Sequence, residues 1–92
     1  MKEIILDGRQ LRGMEDVHMA FRNGLEMRDG CGFNLDALFD VLTDQRETVA
    51  VVIRNRQELA LTLGKRYARL MRMLKDASEE NERVQLSIDR EE

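Results

Sequence analysis

Thr48-Val49-Ala50-Val51-Val52-Ile53 is an almost unbroken run of β-branched and apolar residues. Side chains alternate across a strand, so a run without polar interruption predicts a strand covered on both faces, as in a parallel sheet. Two shorter runs flank it at a distance. Glu3-Ile4-Ile5-Leu6-Asp7 is aliphatic and stops at the turn pair Asp7-Gly8. Val84-Gln85-Leu86-Ser87-Ile88 alternates apolar and polar residues and reads as a last strand.

Helical periodicity fills the intervals. Met14, Val17, Phe21 and Leu25 recur at three- and four-residue spacing, with Gly24 blurring where that helix ends. Residues 26–33 have no apolar period and read as an irregular loop leading to Asn34, which suits a helix N-cap. A second helix follows Asn34 within the stretch that runs to Thr43. From Asn55 to Leu63, Leu59, Leu61 and Leu63 alternate as in a strand. Leu59 and Leu63 also form a helical pair among good helix formers, which favours a helix broken at Gly64. Residues 65–80 give the clearest helix, with Tyr67, Leu70, Met71, Leu74 and Ala77 on one face and Lys65, Arg69 and Arg72 pointing away. Parallel neighbours need long, right-handed crossovers, and helix pairs supply them. The predicted fold is α/β, a three-stranded parallel sheet packed with about four helices in the order β-α-α-β-α-α-β.

Ninety-two residues, 42% of them apolar, are expected to make one domain over 1–92, with the last few residues frayed. A single cysteine excludes an intrachain disulfide and favours a reducing compartment. No apolar run approaches the roughly 18 residues that span a bilayer. The start of the chain is too short in aliphatics for a signal peptide. A cytoplasmic location is expected. The net charge of −3 is unevenly laid out. Residues 1–53 hold 6 Lys/Arg and 10 Asp/Glu, residues 54–75 hold 7 and 1, and residues 76–92 hold 2 and 7.

The second helix carries the most telling surface. In Gly32-Phe33-Asn34-Leu35-Asp36-Ala37-Leu38-Phe39-Asp40 the two carboxylates Asp36 and Asp40 stand one turn apart on a single stripe. Leu35, Leu38 and Leu42 fall on the opposite face, and Phe39 lies between the two. Asp36 also sits in the first turn, where the helix dipole favours a negative charge. An acid pair beside a large apolar ring suits docking onto a basic, concave partner better than catalysis.

The same run resembles the barstar family of intracellular ribonuclease inhibitors, whose hallmark is Gly-x-Asn-Leu-Asp-Ala-Leu-aromatic-Asp. Gly32, Asn34, Leu35, Asp36, Ala37, Leu38, Phe39 and Asp40 match it position by position. Gly8, Gln10, Leu11, Arg12, Asp16 and His18 agree more weakly upstream. The resemblance implies the same three-stranded fold and a small basic ribonuclease as partner. It also implies that Asp40 mimics an RNA phosphate in the enzyme's cleft, with Asp36 supporting it. Asn34 and Gly32 would shape the approaching loop, Phe39 would give apolar contact, and Asp76 would meet a cleft lysine or arginine. Here the chain reads Asp29-Gly30-Cys31-Gly32 where the family usually presents tyrosines, and Phe39 stands where tryptophan is common.

Other chemistries find less support. Cys31 and His18 are one of each kind, with no metal-ligand spacing and nothing tying them together; His18 reads as a hydrogen-bonded histidine at the core edge. No cofactor, metal or small-molecule substrate is expected. The alternative is a nucleic-acid-binding or adaptor protein using the basic helix, with Lys65, Arg66, Arg69, Arg72 and Lys75 along a phosphate backbone. A pI near 5.2 and 4% aromatic residues weigh against it. The bland possibility for Asp76 is an intrahelical pair with Arg72, one turn before it.

Overall fold

The computed structural model describes residues 1–27 and 34–89. Its elements are β1 (Lys2–Asp7), α1 (Met14–Leu25), α2 (Leu35–Thr43), β2 (Val49–Arg54), α3 (Arg56–Leu63), α4 (Lys65–Glu80) and β3 (Val84–Ile88). The strands form one parallel sheet in the order β1-β2-β3, with Ile4 opposite Val51 and Val51 opposite Leu86. The expected α/β architecture and element order are therefore observed. The segment read as ambiguous, residues 55–63, is helical. The loop expected over 26–33 lies outside the described residues from position 28 onward.

One expectation fails. The run 48–53 was expected to be covered on both faces, yet burial alternates along β2: Val49, Val51 and Ile53 are fully buried while Ala50 and Val52 are half-buried. On β1, Ile4 and Leu6 are buried and Glu3 and Ile5 exposed. The reason is topological. In a 1-2-3 order, both crossovers step the same way across the sheet, and right-handed connections then put both helix pairs on one face. The other face carries Glu3, Ile5, Ala50, Val52, Gln85 and Ser87, with no helical layer over it among the described residues.

The core lies between the sheet and the helices. Ile4, Leu6, Val49, Val51, Ile53 and Val84 from the strands meet Val17, Phe21 and Leu25 of α1, Leu38 and Leu42 of α2, Leu59 and Leu63 of α3, and Leu70, Met73, Leu74 and Ala77 of α4. Each helix buries one stripe, as its periodicity predicts, although Met73 replaces Met71 and Tyr67 as the deeper residue of α4. Helix α1 lies close on β1 because Gly24 has no side chain: a Cβ there would come within 2.6 Å of Ile4 Cγ1.

Two polar joints fix the layers. At the carboxyl ends of β1 and β2, Gly8 packs so tightly that a Cβ would fall 2.3 Å from the Asn55 carbonyl oxygen and 2.4 Å from the Leu59 nitrogen. Beside it the Asp7 carboxylate accepts from the Asn55 side-chain amide at 2.7 Å and from the Arg9 N–H at 3.0 Å. Those two donors hold the Asp7 carboxyl below the usual range.

The other joint is Asn81, the C-cap of α4, which is 8% exposed. Its side-chain amide donates to the carbonyls of Leu42 at 3.1 Å, Thr43 at 3.3 Å and Gln45 at 3.0 Å, and its Oδ1 accepts from the Arg83 N–H at 3.1 Å. This clamp ties the end of α2 to the α4–β3 turn. Asn81→Ala should cost about 1–3 kcal/mol, because buried carbonyls lose their donor. Urea denaturation checks it; a loss under about 0.5 kcal/mol would mean that water replaces the amide at no cost.

Candidate functional site

Helix α2 is held by its ends and its apolar face. Asn34 is extended (φ −143°, ψ 161°) and its Oδ1 accepts from the Ala37 N–H at 2.7 Å, so the expected N-cap forms. At the other end the Thr43 hydroxyl donates to the Phe39 carbonyl, and the Asn81 side-chain amide donates to the carbonyls of Leu42 and Thr43. Leu38 and Leu42 anchor the helix in the core at 1% and 0% exposure. Asp36 and Asp40 are left exposed on the outer stripe, roughly 6 Å apart along the axis. Phe39 is half-buried and packs at the edge of the core.

Helix α4 packs beside α2. A cleft of about 260 Å³ between them is lined by Leu35, Asp36, Phe39, Arg69, Arg72, Met73 and Asp76. Asp76, 40 positions from Asp36 in the sequence, thus comes to the same surface. The pairing considered for Asp76 and Arg72 is not formed: among the described residues the ion pairs are Arg9–Glu58 and Arg54–Asp89, and neither touches this cleft. Asp40 continues the stripe beyond the cleft. Gly32 and Cys31 lie outside the described residues.

A second cleft, of about 450 Å³, adjoins the first through the shared residues Leu35 and Arg69. Met14, Glu15 and His18 of α1, Asn34, and Arg66 of α4 complete it. The two together make one trough across α1, α2 and α4. From the sequence, Arg69 and Arg72 point away from the core, belong to the basic helix of the nucleic-acid alternative, and Arg72 is a possible partner of Asp76; none of these places them beside Asp36. The missed signal is that Arg69, Arg72, Met73 and Asp76 share i, i+3, i+4, i+7 spacing, a stripe alongside the core stripe.

His18 is 7% exposed, and this burial lowers its pKa from the ordinary 6.5. The folded state therefore binds its proton less readily than the unfolded chain. The resulting stability is present above pH 6.5 and is lost as pH falls through the folded-state pKa. His18→Gln should flatten the decline in stability just below pH 6.5, measured by urea denaturation over a pH series. An unchanged slope would show that other groups cause the decline.

The charges of α4 run against its own dipole. Lys65 and Arg66 occupy its first turn and Glu79 and Glu80 its last, and no side chain caps its N-terminus. Each misplaced charge forgoes or opposes roughly 0.3–1 kcal/mol. Folding alone does not favour that arrangement.

Open α/β sheets bind ligands where strand order reverses, and the order β1-β2-β3 has no reversal. Gly8 and Asn55 close over the ends of β1 and β2. No helix among the described residues is long and apolar enough to cross a membrane.

Known proteins share this chain's pattern throughout its length. The family model described as Barstar (barnase inhibitor) matches residues 1–90. A protein of Bacillus subtilis (strain 168) that bears the name "Putative ribonuclease inhibitor YrdF" is 32% identical over 81 residues. That match covers 87% of this chain and 89% of the Bacillus protein.

Proposed function

This chain belongs to the Barstar family, and we propose that it binds a small microbial ribonuclease and blocks its active site. The observation that carries this reading is the placement of Asp36 and Asp40: exposed, without ion pairs among the described residues, on a helix fixed at both ends. A ribonuclease cleft holds cationic groups for the phosphates of RNA. Carboxylates delivered on a rigid helix satisfy those groups with charge-assisted hydrogen bonds. Little ordering entropy is lost, because the scaffold is ordered before binding.

In this reading Asp40 occupies the phosphate position and Asp36 pairs with basic groups beside it. Asp76, across the cleft from Asp36, meets a further lysine or arginine. Phe39 covers apolar surface between the acids, while Asn34 and Gly32 set the approach of the preceding loop. The protein acts in the cytoplasm as a single domain, with no reaction, cofactor or metal of its own.

The test is inhibition of RNA cleavage by a panel of microbial guanyl-preferring ribonucleases. At least one enzyme should lose activity in a one-to-one titration. Full activity of every enzyme at excess inhibitor would refute the proposal.

A further inference from the structure

Three arginines share the trough with the acids that the proposed function uses. Arg69 and Arg72 line the smaller cleft beside Asp36, Phe39 and Asp76, and Arg66 and Arg69 line the larger one beside Glu15. None of the three forms an ion pair among the described residues. Folding does not account for Arg66, which stands in the first turn of α4 where the helix dipole favours acids, while Arg69 and Arg72 lie beyond that turn on the exposed face. Local choices that oppose folding cluster at functional surfaces.

Resting on the ribonuclease-binding reading, we infer that Arg66, Arg69 and Arg72 form a cationic half of the same docking surface. The enzyme it fits therefore carries acidic side chains on the rim beside its cationic phosphate cleft. Charge complementarity sets this pairing: the acids of α2 face the cleft floor while the arginines of α4 face the rim. The same arginines would deter an enzyme whose cleft is basic all round, because like charges would meet.

RNA itself fits the arginines less well. Asp36, Asp76 and Glu15 stand in the same trough and repel phosphates, the chain is net −3, and aromatic residues for stacking are only 4%.

The experiment reverses the charges in Arg66→Glu/Arg69→Glu/Arg72→Glu. Three reversals of two charges each take the net charge from −3 to about −9. Long-range attraction to any basic enzyme then rises, so a loss of binding by the folded variant reports local contacts at this surface. The probe is the enzyme of the guanyl-preferring panel that the wild type inhibits most tightly, with barnase as reference.

The inference predicts at least a tenfold weaker complex, with the alanine triple variant weakened in the same direction by less. Equal or tighter binding by the glutamate variant would overturn it while leaving the ribonuclease reading intact. If the wild type inhibits no enzyme of the panel, the reading fails and the inference with it. Salt-dependent binding of a single-stranded RNA 12-mer by the wild type, lost in the glutamate variant, would also overturn it. A melting curve controls for folding: Arg66→Glu suits the dipole of α4, whereas Arg72→Glu sets like charges one turn apart with Asp76, so the requirement is that the glutamate variant stays folded at the assay temperature.

Discussion

Phe21→Ala is expected to remove about 3–5 kcal/mol of folding stability, the largest loss from any single truncation among the described residues. Among the described residues Phe21 is the bulkiest fully buried side chain, at 0% exposure, and lies in the core where α1 meets the sheet. The helix cannot slide inward to fill the void, because Gly24, one turn on, is already in close approach to Ile4. The lost transfer energy therefore comes with a cavity term. A 92-residue domain has in all roughly 5–14 kcal/mol of stability. The variant should consequently unfold at a much lower urea concentration with little change in slope. A loss below about 1 kcal/mol would show that the core around Phe21 collapses freely.

Asp40→Ala should have the largest effect on function and almost none on folding. The Asp40 side chain is exposed and makes no ion pair among the described residues. Its backbone carbonyl accepts from the Thr43 hydroxyl and the Asp44 N–H, and alanine keeps both bonds. Stability should therefore change by no more than about 0.5 kcal/mol. In the complex, truncation leaves the enzyme's phosphate-binding cations buried without a counter-charge, which costs about 2–5 kcal/mol. At 1.4 kcal/mol per decade that is roughly a 30-fold to several-thousand-fold rise in Kd. Asp36→Ala should weaken binding less. Calorimetric titration separates the cases, and equal affinity for wild type and Asp40→Ala would remove Asp40 from the proposed role.

The element order was legible because each helix shows its stripe and each strand its apolar run. Even the ambiguous Leu59, Leu61 and Leu63 resolve by helix propensity, with Leu61 left 85% exposed on the outer face. What the run 48–53 could not show was its coverage. That depends on the direction in which two crossovers step, a property of the whole topology and not of any six residues. The acid stripe was readable for the same reason as the core stripe, since both follow from 100° per residue. Its neighbours were not. Asp36 and Asp76 meet through the packing of α2 on α4, and Asn81 finds its carbonyl partners 36 to 39 residues away. Such contacts leave no local periodicity. Arg69 and Arg72 were visible as a charged face, while their place beside the acids required the fold.

The most direct measurement of the central claim is competition. A guanyl-preferring ribonuclease inhibited by this chain would be loaded with a 3′-guanylate, whose phosphate fills the catalytic anion site, and then titrated with the chain. If a carboxylate of α2 takes that site, the apparent Kd rises in proportion to nucleotide concentration and the bound nucleotide is released. An unchanged Kd, with enzyme, nucleotide and chain in one ternary complex, would contradict it.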